Sequence, residues 1–344
     1  MAFCDSIKLE KGMYTVSGKS FTKVLEGLDP SENYKGSELE GLDAYQRQLK
    51  RFDIKVSGAG CDKVEKFFST ADSAVLFPEF IARAVKQGLE ASSVLPSMVA
   101  TNTIIDGIDY RAISSSTDGS GTSVSEAASM RNVNVRTKSN LISLKKHGRV
   151  FSSSYEALRF QNLDVLTVIL RQIGADIAKE QLADATAVLL NGDGNSNSVT
   201  PTALSSTTAI KYDHLVQLWQ SIAPHEMNVI LASTRVMKDI LSLTEMRDAC
   251  AGLNFQGTGN LVTPLGAKLI YAPALDESTN PEKSGKILGF DKNCTLQMVQ
   301  DGDITIDYDK VIEQQLDRAA ISMTTGFAKI VNDSVNALSY TVSE

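Results

Sequence analysis

The sequence predicts an α+β protein, and three observations carry that prediction. One run of helical period, Leu163 to Leu190, is longer than an average globular helix. Strand-like runs rich in β-branched residues lie on both sides of it. The chain also has the bulk for cores: 344 residues with 42% hydrophobic content suggest about two domains at roughly 150 residues each.

From the N-terminus, residues 1 to about 75 are mixed in character, with glycine and charge scattered through them. Leu42, Tyr45, Leu49 and Phe52 recur at helical spacing, but the rest reads as an arm whose apolar residues are too sparse to bury a core alone. At Phe77 the character changes. Pro78 suits a first helical turn, and Phe77, Phe80, Ile81, Val85 and Leu89 mark one face of a helix. Thr103 to Ile113 and Val133 to Leu144 then alternate as strands around a Ser/Gly segment with almost nothing to bury. That pattern predicts a long β-hairpin tipped by Ser114, Gly119 and Gly121. Such a projection is marginal alone in water and calls for a partner subunit.

The long helix is predicted to run about 40 Å at roughly 1.5 Å per residue, with Asn162 as N-cap and Leu166, Leu170, Ile173 and Ile177 on its core face. Asn191-Gly192-Asp193-Gly194 stops it, because Gly and Asn accept positive φ. Between 195 and about 285 a helix (Tyr212 to Ile222), a strand (Asn228 to Ala232), a helix capped near Ser233 and a strand (Lys268 to Ala272) form one compact α+β domain, with a loop carrying Gly252, Gly257 and Gly259. Strands are expected at Ile287 to Phe290, Thr295 to Val299 and Ile304 to Tyr308. Ala319 to Val331 is assigned mainly to strand, although a helical template fits almost as well.

Charge and motif content narrow the function. With 34 Lys+Arg against 41 Asp+Glu, the net charge is -7, and no large basic block exists to grip nucleic acid phosphates. A structural role beside DNA stays open. Cys4, Cys61, Cys250 and Cys294 never form a C-x-x-C pair, which points to free thiols in a reducing compartment. No basic flank with an apolar h-region follows Met1, and no run of about 18 apolar residues occurs, so neither a signal peptide nor a membrane span is expected.

Chemical motifs fail one by one. Gly18-Lys19-Ser20 lacks the leading glycine of a phosphate loop, since Met13 stands there, and a surface turn is the simpler account. Asp193, Asn195 and Asn197 imitate half a calcium loop, yet Ser198 replaces its glycine and Leu204 its glutamate. His147, His214 and His225 show no metal-ligand spacing, and neither G-x-S-x-G nor a dinucleotide fingerprint is present. No catalytic residue, cofactor or metal is therefore assigned. Lys145, Lys146, His147 and Arg149 form a small basic cluster at the hairpin foot: a solvated or intersubunit salt-bridging face, or else a patch facing DNA.

Taken in order, an arm, a short helix, a Ser/Gly-tipped hairpin, a spine helix ending in Leu189-Leu190-Asn191-Gly192-Asp193-Gly194, an α+β domain and returning strands resemble a tailed-bacteriophage major capsid protein of the Hong Kong 97 type. Phe77-Pro78-Glu79-Phe80 before the hairpin and Asn228-Val229-Ile230-Leu231 followed by Ser233 support the likeness, which spans roughly residues 75 to 335. It implies an N-terminal arm (1–75), a peripheral domain (76–102, 145–191 and 286–344), an extended hairpin loop (103–144) and an axial domain (192–285). It further implies self-assembly as hexamers and pentamers into an icosahedral head, built in the bacterial host cytoplasm and enclosing double-stranded DNA without sequence-specific contacts. Portal and decoration proteins would be partners. A separately encoded scaffolding protein is expected, because the arm is shorter than a scaffolding extension. The family's namesake crosslinks through a lysine in the extended loop, but residues 113–131 contain none, so no isopeptide chainmail is expected. The alternatives are an encapsulin-like nanocompartment shell and, more remotely, a calcium- or nucleotide-dependent hydrolase.

Overall fold

The computed structural model describes residues 7–14, 20–58, 60–107, 109–117, 123–124, 126, 130, 133–204, 210–247, 264–276 and 284–341. In chain order the helices are α1 (Phe21–Leu28), α2 (Ala44–Arg51), α3 (Ala71–Ala74), α4 (Phe77–Ser92), α5 (Tyr155–Arg159), α6 (Leu163–Asn191), α7 (Tyr212–Ile222), α8 (Thr234–Ser242) and α9 (Thr244–Arg247). The strands are β1 (Thr101–Ile105), β2 (Ile113–Thr117), β3 (Val133–Thr137), β4 (Lys145–Ser154), β5 (Thr202–Ala203), β6 (Val229–Ala232), β7 (Lys268–Tyr271), β8 (Ser284–Phe290), β9 (Leu296–Val311), β10 (Leu316–Lys329) and β11 (Val335–Thr341). They form a four-stranded sheet ordered β1-β9-β10-β4, a five-stranded sheet ordered β5-β11-β8-β6-β7, and the β2-β3 ribbon.

The chain divides into two compact units. The first comprises residues 1–92, 148–178 and 304–323. Leu9, Phe21, Leu25, Tyr45, Leu49, Ile54, Val64 and Phe67 are buried in one cluster with Phe77, Ile81 and Val85 of α4 and Leu166, Leu170 and Ile177 of α6. The early segment is too sparse to fill a core alone, but α4 and α6 supply the missing wall. Its helices are locally encoded. Asp43 accepts from the Gln46 amide at 2.8 Å while Gln46 Oε1 accepts from the Asp43 amide at 3.1 Å, a reciprocal cap that starts α2. Ser20, from the rejected phosphate-loop motif, is the N-cap of α1.

α2 also carries a charge into the core. Arg47 Nε donates to Asp29 Oδ2 at 2.7 Å, and both side chains are essentially inaccessible. Tyr34 Oη donates to Asp29 Oδ1 at 2.6 Å, and Arg47 Nη1 to the Leu42 carbonyl at 2.6 Å, so the pair is hydrogen-bonded as well as neutralised.

The second unit comprises 93–147, 179–303 and 324–344. Its core joins Leu215, Leu218 and Ile222 of α7 and Val236 and Ile240 of α8 to Ile230, Leu269, Ile287 and Leu338 of the five-stranded sheet. Every residue of β6 is buried, which explains the continuous apolar run Val229-Ile230-Leu231-Ala232.

Two strand expectations change. Thr103 to Ile113 is not one strand: β1 ends at Ile105 and pairs in parallel with β9, Thr101 opposite Gln297, while the chain turns at Gly107, whose φ is 119°. Val133 to Leu144 is regular strand only to Thr137: the Lys138 amide still donates to the Ala112 carbonyl at 2.8 Å, but its side chain turns to a buried partner. Conversely, the two expected strands at 295–299 and 304–308 are one, β9. The strand reading of 319–331 holds, with β10 spanning Leu316–Lys329.

Candidate assembly surfaces and a buried polar hub

α6 ends where the sequence places its stop. The Gly192 amide donates to the Val188 carbonyl at 2.8 Å, and Gly192 and Gly194 have φ of 85° and 88°, the left-handed region that favours glycine. Asp193, between them, does more than stop a helix. Its carboxylate Oδ2 accepts from Lys138 Nζ at 3.0 Å and from the Lys329 amide at 3.0 Å. Lys138 Nζ also donates to the Lys329 carbonyl, and Lys329 Nζ to the Asn197 carbonyl at 2.7 Å. Next to it, Asn140 Nδ2 donates to the Gly194 carbonyl at 2.6 Å and the Asn140 amide to Asn195 Oδ1 at 3.0 Å. The stop loop thereby fastens the segment returning from the ribbon to the end of β10.

The hub is electrostatically tense. Burial would raise the Asp193 carboxyl, but hydrogen bonds from Asn195 and Lys138 together with the Lys138 charge hold it below the usual carboxylate range. Burial pushes the Lys329 ammonium down to about 8, and Lys138 pushes the same way while Asp193 opposes. Neither lysine was singled out from sequence, because each lies more than fifty residues from Asp193 along the chain.

The β2-β3 ribbon rises from this root. Its register sets Ile113 opposite Thr137, Ser115 opposite Val135 and Thr117 opposite Val133. Directly opposed residues share a face, so Ile113, Val133 and Val135 lie together, and they are 53%, 59% and 62% exposed. The other face carries Ser114, Asn134 and Arg136. This two-stranded ribbon leaves three β-branched apolar side chains bare on one face. Ser114 is a strand residue whose hydroxyl donates to the Arg136 carbonyl at 3.4 Å, which corrects its placement at the tip. Gly119 and Gly121 lie outside the described residues.

α6 is two-sided near its start. Leu166, Leu170 and Ile177 are buried and Ile173 is half-buried, as the helical spacing requires, whereas Val165, Val168 and Ile169 are exposed beside Phe160 in the preceding turn. Within the basic cluster two residues pair inside the chain, Lys145 Nζ with Asp184 Oδ1 at 2.7 Å and His147 with Asp184 through Nε2 and with Glu180 Oε2 through Nδ1, the latter at 3.1 Å, while Lys146 and Arg149 are exposed. His214 caps α7 by accepting from the Lys211 amide at 3.2 Å. Cys61 and Cys294 are free thiols. Among the described residues no helix is long and apolar enough to cross a membrane.

Known proteins share this geometry. Residues 137–293, from the end of the ribbon through α6 and most of the second unit, match the family described as "Phage capsid protein". That match covers a little under half of the chain, which is similar to phage capsid proteins over this stretch. The capsid of a native GTA particle is similar in fold, at 13% identity and TM-score 0.51, with 72% of this chain and 89% of that chain covered. So is the acid-stable capsid of Helicobacter pylori bacteriophage KHP30, at 12% identity and TM-score 0.50, covering 72% and 91%. A chain of Mycobacterium phage Che8 aligns at 13% identity and TM-score 0.47 over 68% and 85%. The first two carry the fold assignment: this is the Hong Kong 97-type capsid fold. No curated protein matches the sequence. The family matched over residues 137–293 is one of structural proteins of the phage shell.

Proposed function

We propose that copies of this chain assemble as hexamers and pentamers into an icosahedral phage head that encloses double-stranded DNA. The observation that carries the reading is the bare apolar face of the β2-β3 ribbon, held at its root by a buried ionic hub within a phage capsid domain. Fully burying a Val or Ile is worth about 1.5–3 kcal/mol, so leaving three of them in water on an anchored ribbon makes sense when a neighbouring copy covers them. Closed shells are built on such heterologous contacts, in which one patch meets a different one. The net charge of -7 fits a lining that keeps packed DNA from sticking. A separate scaffolding protein directs assembly, and portal and decoration proteins complete the head in the host cytoplasm.

The test is expression of the chain with and without its candidate scaffold, followed by sizing and negative-stain microscopy. Hexamers, pentamers or closed shells are expected, and a protein that stays monomeric under all conditions overturns the proposal. Particles from infected cells should contain DNA; particles filled instead with a cargo protein would move the reading to a nanocompartment shell.

A further inference from the structure

At one end of the five-stranded sheet three loops are forced together by strand register. Val229, the first residue of β6, lies opposite Phe290, the last of β8, and Val335, the first of β11, lies opposite Phe290 on the other side. The loop entering β6, the turn leaving β8 and the loop entering β11 therefore meet at one edge. They carry His225, Asp291 and Cys294, and Asp333. One ligand atom from each of His225, Asp291 and Cys294 falls within 4.8 Å of the others. We propose that these three side chains form a binding site for a divalent transition metal of the zinc class.

The geometry is close to what such an ion demands. With sulfur about 2.3 Å and imidazole nitrogen about 2.05 Å from the metal, a tetrahedral angle separates the two ligand atoms by about 3.6 Å. Cys294 Sγ lies 3.8 Å from His225 Nδ1. A small inward movement of the carboxylate completes a three-ligand face, with water in the fourth position. One sulfur, one nitrogen and one oxygen suit zinc rather than magnesium or calcium, which prefer oxygen alone. A carboxylate, a thiolate and a neutral imidazole also balance a divalent charge.

Surrounding groups orient each ligand in the way metal sites use. The other ring nitrogen of His225, Nε2, faces Asp333 Oδ1 at 3.6 Å, which favours the tautomer with Nδ1 free to coordinate. Asp291 Oδ1 accepts from Asn228 Nδ2 at 2.8 Å and from the Asn293 amide at 2.9 Å, and a carboxylate has lone pairs to spare beyond those two bonds. The Thr295 amide donates to the Asp291 carbonyl at 3.1 Å, closing the turn that brings Asp291 and Cys294 to one side. The His225 amide donates to the Ile222 carbonyl at 3.0 Å, so that loop too is set by backbone bonds. Linear spacing hides the site, since its ligands span 225 to 294.

Cobalt titration of the full-length, chelator-treated protein tests the proposal. One equivalent of Co2+ per chain is expected to give thiolate-to-cobalt charge-transfer absorption with tetrahedral visible bands, and Zn2+ is expected to displace it. Cys294→Ala should abolish the charge-transfer band, and Asp333→Asn should weaken binding by about tenfold to a hundredfold. Absence of the band from the wild-type protein, or its survival in Cys294→Ala, overturns the site. If Cys294→Ala does not fold, alkylation of the wild-type protein decides: Zn2+ must slow modification of Cys294 in peptide mass spectra, and an unchanged rate overturns the proposal.

Discussion

Arg47 and Asp29 show how a single pair can decide whether the first unit folds. Both are buried, and Tyr34 and the Leu42 carbonyl satisfy what the ion pair leaves over. Arg47→Met keeps the volume but strands the Asp29 charge, and the expected loss is about 3–5 kcal/mol in denaturant unfolding of the unassembled subunit. The double variant Asp29→Leu with Arg47→Met should recover much of it, because the charge left without Arg47 is then Glu26, 3.5 Å from it, which is partly in water. Lys329 offers a second test through pH. Its folded-state pKa of about 8 lies below its ordinary 10.5, so the folded protein holds fewer protons than the unfolded chain between those values. Stability relative to Lys329→Met should therefore rise with pH from about 8 to 10.5, by at most about 1.4 kcal/mol per pH unit. A flat difference across that window would contradict the assignment. Sequence spacing could not disclose these groups, since Arg47, Lys138 and Lys329 look like ordinary surface cations until distant partners are brought to them.

Among the elements, α4 and α6 cross so closely that two glycines meet the opposing backbone. A Cβ on Gly88 would come 2.1 Å from the Arg171 carbonyl oxygen, and one on Gly174 would come 2.1 Å from that of Val85. Propensity alone favours Gly→Ala inside a helix by about 1 kcal/mol. The clash is with main chain, which cannot rotate away, so Gly88→Ala and Gly174→Ala should each destabilise the protein, on the order of 1–3 kcal/mol in thermal or denaturant unfolding. Elements with long periodic runs were the most legible. α6 ends one residue past the expected position, and α7 runs as expected from Tyr212 to Ile222, since side-chain period and local caps determine both. Strand limits were less so. Asp106-Gly107 interrupts an otherwise strand-like run at a backbone angle glycine tolerates, whereas Asp301-Gly302 lies inside β9, which continues despite a φ of 65°. The same dipeptide ends one strand and not the other, because only cross-strand pairing distinguishes them. The early segment is hard to read for a related reason: its scattered apolar residues acquire a core only from α4 and α6.

For the whole molecule the decisive quantity is what one copy leaves uncovered. Residues 113–131 contain no lysine for crosslinking, so shells boiled in detergent should run as single subunits of about 37 kDa, and a covalent ladder would count against a non-covalent lattice. Holding such a lattice together then falls to contacts like the apolar ribbon face. Val133→Ser with Val135→Ser removes most of that face while touching residues already more than half exposed, so the isolated subunit should unfold within about 0.5 kcal/mol of wild type. If a neighbour buries both valines, each subunit loses about 1.5–3 kcal/mol per side chain on assembly. At about 1.4 kcal/mol per factor of ten, the concentration needed to form shells should rise at least tenfold. Light scattering across a dilution series measures that threshold, and sizing with circular dichroism confirms that the variant subunit is folded. Equal thresholds for variant and wild type would mean that the ribbon stays in solvent in the shell, leaving the exposed Val165, Val168 and Ile169 face of α6 as the next surface to remove.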